Sequence, residues 1–417
     1  MTLEPTHMAA TTDNYQVIIV GGGPSGAAAA LYARRQGLSI LLLDRATFPR
    51  DKVCGDALSG KSVTVLNELG LLEGVRGLPG VAISRIIFGS PADKRLEIDL
   101  RSSDLGTIPE GFVIRREVFD QFMFEQARAA ADTCLEGFTV RDLVIEDGYV
   151  RGVRGRQRGG EEQTYRGQIV MGADGTNSVV ARKTGLHRHE SKHQVVALRQ
   201  YWRNVAGLSD QIELHYVDEV MPGYFWLFPL ENGTANIGIG MLHHSIKRKK
   251  VDLKAALQGA IESGPFRERF AGAEPLEKPV GWNLPVGSKH RRMVGDGFML
   301  LGDAAGLIDP FTGEGIGNAL YAGKYAAEVA AEAVAEGNVS AASLARYDKR
   351  LWGAIGGELR LSSRLQKIGR SRFLLNAVIA GAARNRALGN LIAGMIADEV
   401  PKKALANPLF YLKILFN

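Results

Sequence analysis

The stretch Gly21-Gly22-Gly23-Pro24-Ser25-Gly26 constrains this 417-residue chain more than any other. It places G-x-G-x-x-G directly after the apolar run 16–20 (QVIIV) and before an alanine-rich run that reads as a helix over about 24–36. Residues 38–43 (LSILLL) then read as a second strand, apolar throughout, as a parallel sheet covered on both faces requires. Gly21 permits the tight turn, Gly23 lets backbone approach a pyrophosphate, and Gly26 lets the helix pack close to the sheet. The positive end of the helix that opens at Pro24, with free amides from Ser25 onward, then faces phosphate. Asp44 ends the second strand, 18 residues after Gly26, where a carboxylate accepts hydrogen bonds from ribose hydroxyls, with Arg45 beside it. Strand, turn, helix, strand and acid together define a dinucleotide-binding unit, and leave open which dinucleotide it takes.

Farther along, residues 116–131 read as a helix with Phe119, Met123 and Ala127 at helical spacing. Strands are expected over 134–144, 150–155 and 165–171, with a turn at Asp147-Gly148. Several strand-like runs over 194–241, separated by Gly, Pro and Asn, predict a mostly antiparallel sheet. A last buried strand is expected over 297–301, a long helix from near Gly313, and helix from Arg346 to the end.

Only two cysteines occur, Cys54 and Cys134, which excludes a disulfide framework, a tetrathiolate zinc site and a four-cysteine iron–sulfur cluster. His215, His243 and His244 lack the spacing of metal ligands, so no metal is expected. The opening residues lack the apolar core of a signal peptide and no run of 18 apolar residues appears, so a cytoplasmic protein is expected. The net charge of +6 is uneven: residues 341–417 carry 13 Lys/Arg against 4 Asp/Glu, or +9, which leaves −3 for the rest. No nucleic-acid motif accompanies this charge, so nucleic acid is not an expected partner. Segments 373–383 and 408–416 combine apolar residues with Lys and Arg, a pattern suited to peripheral contact with the inner face of an anionic membrane. A set of basic surface helices is the plainer account.

Two later motifs decide the dinucleotide. Gly172-Ala173-Asp174-Gly175 follows an expected strand, and Gly302-Asp303 ends another, within LLGDAAGLIDPFTGEGIGNAL. Here the chain resembles the FAD-dependent family typified by aromatic hydroxylases of the para-hydroxybenzoate type. The resemblance implies that Asp303 holds the ribityl chain of FAD and Asp174 lies near the pyrophosphate. It also implies that Arg116, in R-x-x-F-D at the start of its helix, touches the phosphates. Pro310 would then sit against the flavin ring. The amides of Gly313-Glu314-Gly315 and the helix entered at Ile316 would face its N1/O2 edge, where negative charge gathers on reduction. The expected FAD set therefore comprises Gly21, Gly23, Pro24, Ser25, Gly26, Asp44, Arg45, Cys54, Gly55, Arg116, Asp174, Gly175, Gly302, Asp303, Pro310, Gly313, Gly315 and Ile316.

Residues 49–56 (PRDKVCGD) and 222–229 (PGYFWLFP) look like the P-x-x-K-x-C-G and P-G-Y-x-W-x-F-P signatures of the geranylgeranyl reductase family. The resemblance implies reduction of isolated carbon–carbon double bonds in a polyprenyl lipid, with Tyr224, Trp226 and Phe228 lining an apolar pocket beside the flavin. Strand alternation puts 224, 226 and 228 on one face, which suits either a hydrocarbon pocket or ordinary sheet core. Cys54 reads as an active-site thiol or as a small buried residue; Cys54, Tyr224 and an ordered water are the candidate proton donors. The electron donor is expected to be NADPH or a ferredoxin-type protein. A monooxygenase or halogenase of the same fold is the alternative.

The implied fold class is α/β: a Rossmann-like FAD domain with a parallel sheet, interleaved with a mostly antiparallel substrate sheet, and a C-terminal helical segment. The expected division is 13–80, 111–190 and 285–345 for FAD, 81–110 and 191–284 for substrate, and 346–417 for the helical segment.

Overall fold

The run QVIIV becomes the centre of the first sheet because it is fully apolar and therefore tolerates cover on both faces. A computed structural model describes residues 12–102, 110–262 and 264–384. In that sheet the strands run Val294–Gly295, Phe298–Leu300, Gln163–Gly172, Thr12–Val20, Ile40–Leu43 and Thr133–Leu135. The four pairings from Phe298–Leu300 to Thr133–Leu135 are all parallel. Helices Pro24–Arg35 and Ile316–Ala335 pack on it through small residues: Ala27, Ala28, Ala29 and Ala30 meet Ala322, Ala326 and Ala327, all fully buried. A Cβ added to Gly323 would lie 2.5 Å from the carbonyl oxygen of Ser25, so glycine there is what lets the two helices approach.

The expected strand over 134–144 is two strands. Thr133–Leu135 ends at Glu136-Gly137, where Gly137 takes a left-handed φ of 67°, and Phe138–Glu146 leaves in a different sheet relation. The first piece pairs parallel with Ile40–Leu43; the second pairs antiparallel with Tyr149–Gln157. The apolar pattern runs straight through the corner, so periodicity alone cannot mark it.

The second sheet orders as Glu274–Pro275, Gln194–Arg203, Thr234–Leu242, Tyr224–Pro229, Gln211–His215, Arg85–Gly89 and Arg95–Asp99, with Val280–Pro285 also on Gln194–Arg203. Its pairings are antiparallel except Gln211–His215 with Arg85–Gly89. Along Tyr224–Pro229, Phe225 and Leu227 are fully buried in a core shared with Ile237, Ile239, Leu257 and Phe266. Residues 224, 226 and 228 point the opposite way, toward the first sheet.

Ile316–Ala335 begins three residues beyond Gly313, which instead takes a φ of 76° in the preceding turn. Ala341–Ile368 then crosses back over the first sheet, where buried Tyr347 donates its O–H to the carbonyl of Leu300 at 3.0 Å. Arg372–Arg384 seats Leu375, Ile379 and Ala382 on the edge of the second sheet near Leu96 and Ile98. The expected helix beyond Arg384, with segment 408–416, lies outside the described residues. Among those described, no helix is long and apolar enough to cross a membrane.

Candidate active site

A cavity of about 980 Å³ lies between the two sheets. At one end it is bounded by the Gly21–Ser25 turn. Gly21 has φ of 106°, and a Cβ on it would lie 2.4 Å from the carbonyl oxygen of Ala173. A Cβ on Gly26 would lie 1.8 Å from the carbonyl oxygen of Gly21. The helix is N-capped by Gly23, which offers no side chain, so its first-turn amides remain open toward the cavity. Asp44 is buried at the end of Ile40–Leu43; its carboxylate accepts from the amides of Gly22 (2.7 Å) and Ala46 (2.7 Å) and still lines the cavity.

Around the turn sits a cationic cluster that sequence reading identified only in part. Arg116 is buried and bidentate on Asp120 (2.6 and 2.7 Å), and Arg50 holds the same carboxylate at 2.7 Å. Arg50 also lies beside the glycine turn, 3.5 Å from where a Cβ on Gly23 would sit. One buried acid between two guanidinium groups leaves a net positive charge at the glycine turn. Burial would push the Asp120 carboxyl up, but Arg116 and Arg50 outweigh it and hold it below the usual carboxylate range. Lys52, half-buried, lies 4.2 Å from the Trp282 ring centroid, and burial lowers its pKa.

Asp303 follows Phe298–Leu300, after Gly302 has turned the chain through a left-handed φ of 56°. Its carboxylate accepts from Thr176 Oγ1 at 3.4 Å and borders the cavity. Asp174 turns one oxygen onto the amides of Val179 (2.6 Å) and Val180 (3.4 Å) at a helix start, and its other oxygen is buried without a partner. Burial raises its pKa. Of all the expected site residues, only Gly26 and Gly302 do not line the cavity; Gly26 packs against the Gly21 backbone, and Gly302 takes its left-handed turn beside the side chains of Ser25 and Ala319.

The far part of the cavity is apolar. Its floor is the second sheet, with Trp226, Phe228, Leu214, Ile86 and Phe88, and Tyr216 and Phe311 stack nearby at 6.2 Å. Trp226 lies flat because Gly238 has no Cβ: one added there would be 2.2 Å from the indole ring. Tyr224 donates its O–H to the carbonyl of Thr312 at 2.5 Å, tying the sheet to the 309–315 loop; burial raises its pKa, with Asp309 adding to the shift. Cys54 lies where the two parts of the cavity meet, half-buried and against the Arg116 guanidinium. His215 is held by Glu213 at 2.9 Å, and among the described residues no group of three or more His, Cys, Asp or Glu could hold a metal.

These features fit FAD. An open glycine turn with two arginines suits a pyrophosphate, acids at two strand ends suit sugar hydroxyls, and the remaining volume suits a flat ring. Residues 14–351 match the FAD binding domain family. Digeranylgeranylglycerophospholipid reductase 1 of Methanococcoides burtonii is 34% identical over 83% of this chain and 82% of its own length. Digeranylgeranylglycerophospholipid reductase 2 of Methanopyrus kandleri is 31% identical over 96% and 98%. A solved geranylgeranyl bacteriochlorophyll reductase-like protein from Thermoplasma acidophilum superposes with a TM-score of 0.82 at 26% identity, covering 94% of this chain and 98% of its own. The flavin-dependent brominase Bmp2 matches at 0.76 and 21% identity over 96% and 99%, a likeness of fold alone. The chain is an FAD-dependent oxidoreductase that belongs to the FAD binding domain family and, within it, to the group of the digeranylgeranylglycerophospholipid reductases.

Proposed function

We propose that this protein saturates isolated carbon–carbon double bonds in the polyprenyl chain of a lipid. The observation that carries the reading is the continuity of the cavity, from the glycine turn through Cys54 to an aromatic and aliphatic floor. FAD, when bound and reduced, supplies the hydride for one alkene carbon. Its pyrophosphate would be held by the Gly23–Ser25 turn with Arg50 and Arg116, its ribose by Asp44 and its ribityl chain by Asp303. The Gly315 amide would serve the flavin edge, where charge develops on reduction, since those of Gly313 and Glu314 are donated to the Asp309 carbonyl (3.1 Å) and to Thr312 Oγ1 (3.2 Å).

The remaining work belongs to the chain's own side chains. Tyr224, Trp226 and Phe228 wall the hydrocarbon, exclude water and set which bond meets the flavin; each buried CH₂ contributes about 0.8 kcal/mol. The other alkene carbon needs a proton. The Tyr224 proton is committed to the Thr312 carbonyl, so Cys54 Sγ is the source in this proposal. Electrons come from NADPH or a ferredoxin-type protein. The proposed division of labour is 13–80, 111–190 and 285–345 for FAD, and 81–110 and 191–284 for substrate.

The test is an anaerobic incubation of the reduced protein with prenyl lipids, read by mass spectrometry. Each reduced bond adds H₂. Oxygen incorporation or halogenation, absent any gain of hydrogen, would instead establish the monooxygenase or halogenase alternative.

The same reading places the protein at the inner face of an anionic membrane, where its substrate resides. Supporting this, Phe373 is 77% exposed on Arg372–Arg384, between Arg370 and Arg372 on one side and Arg384 on the other. Cofloating with anionic vesicles at low salt is the expected result, reversed by high salt. No binding at low salt would remove the membrane contact.

A further inference from the structure

On the same face of the second sheet as Trp226 and Phe228 lies a buried polar hub centred on Asn236. Asn236 is fully buried on Thr234–Leu242, opposite Phe228 on one neighbouring strand and Tyr201 on the other. Its Nδ2 donates to the carbonyl of Cys54 (2.8 Å) and to Asp56 Oδ2 (2.7 Å), and its Oδ1 accepts from Trp226 Nε1 (2.9 Å). Asp56 Oδ2 also accepts from the Tyr201 hydroxyl at 2.7 Å, and Asp56 Oδ1 from the Arg116 amide at 3.3 Å. Tyr201 is fixed in turn between the guanidinium groups of Arg199 (4.0 Å) and Arg115 (4.4 Å).

The orientation of the Asn236 amide is unique. Reversed, it would set N–H against the indole N–H and oxygen against two acceptors. The reversal would strand several buried polar groups, each costly to leave unpaired. Aspartate has the same shape but no amide donors for Cys54 or Asp56. Burial pushes the Asp56 carboxyl up to about 6, with Tyr201, Asn236, Arg199 and Arg116 limiting the rise.

We propose that Asn236 is a positioning residue. Through one amide it fixes the plane of Trp226, which walls the hydrocarbon, and the carbonyl of Cys54, which sets where the thiol points. Asn236, Asp56 and Tyr201 do not appear in the cavity wall, so their effect passes through those two residues. The inference rests on the reductase reading for its consequence, although the linkage is independent of it.

The test uses the FAD-bound protein in a Cys134→Ser background. Asn236→Leu removes all three bonds, and Trp226→Phe removes the indole N–H together with part of the ring. Asn236→Leu should keep its flavin and lower kcat about 30-fold with little change in KM. Alkylation of Cys54 by iodoacetamide should accelerate about fivefold or more as its loop is released. On the alkylation rate, adding Trp226→Phe to Asn236→Leu should change little further, because the indole bond is already lost with Asn236. An alkylation rate that the two changes raise multiplicatively, or that Asn236→Leu leaves unchanged, would overturn the assignment. Should Asn236→Leu fail to hold FAD, the isosteric Asn236→Asp decides the question by the same alkylation measurement. If the parent protein reduces no prenyl lipid, the reductase reading fails alone, and alkylation still reports on Asn236.

Discussion

Trp226→Ala leaves FAD in place and lowers kcat/KM for a long prenyl chain about 100-fold. Trp226 is 7% exposed, spread over Gly238 and edge-on to Tyr224 at 6.4 Å, so its indole forms one side of the apolar arm rather than a surface ring. Removing it withdraws contact from about three or four CH₂ groups, at about 0.8 kcal/mol each. That sums to about 3 kcal/mol, or about two powers of ten in transition-state binding. Flavin content should not change, because the glycine turn, Asp44 and Asp303, which are proposed to hold FAD, stand on the other sheet. The measurement is kcat/KM under anaerobic conditions beside flavin absorbance per chain. Unchanged turnover with a long chain would remove Trp226 from the substrate wall. The comparison gains force with substrates of decreasing length, since a chain too short to reach Trp226 should lose nothing.

A second substitution acts at the other end of the cavity. Gly26→Ala should yield a folded, colourless protein whose affinity for added FAD falls about 1,000-fold or more, a loss of about 4 kcal/mol. The reason is distance: the new Cβ would sit 1.8 Å from the carbonyl oxygen of Gly21. The backbone oxygen cannot swing aside as a side chain can, so Pro24–Arg35 must retreat from the strand and carry its open amides off the phosphates. Gly353→Ala serves as the control, because nothing lies within 4 Å of a Cβ there and its helix position favours alanine. Flavin absorbance after desalting, followed by titration with FAD and a melting curve, separates lost binding from lost folding. Full flavin occupancy in Gly26→Ala would contradict the role given to the turn.

The two experiments address opposite ends of one cavity, and their separation is informative. An FAD-competent protein that cannot use long chains, and a stable one that cannot hold FAD, together distinguish substrate wall from cofactor cradle. The Asp120 clamp belongs with the second. Its carboxylate is fully buried between Arg116 and Arg50, so losing it would leave a buried and a partly exposed guanidinium side by side without that counter-charge.

Local chemistry made much of this protein legible from its residues. The strand–glycine turn–helix unit appears where it was expected, because tight turns, small-residue packing and strand alternation each depend on neighbours within a few positions. The facing of 224, 226 and 228 away from 225 and 227 follows from the pleat alone. Corners were less legible. The break at Glu136-Gly137 interrupts no apolar pattern, and Gly313 stands in a turn rather than at the helix start.

What the sequence by itself determined is the dinucleotide loop, the acids at strand ends and the aromatic stripe, since each is written in residues adjacent or alternating along the chain. Only the tertiary structure decided that Arg50 joins Arg116 on Asp120, and that Asn236 binds Cys54 and Asp56 across separations of 182 and 180 residues. Such pairings carry no periodicity. A buried amide or carboxylate is chosen by whichever donors and acceptors the two sheets bring within about 3 Å, and that depends on the register of strands folded from distant parts of the chain.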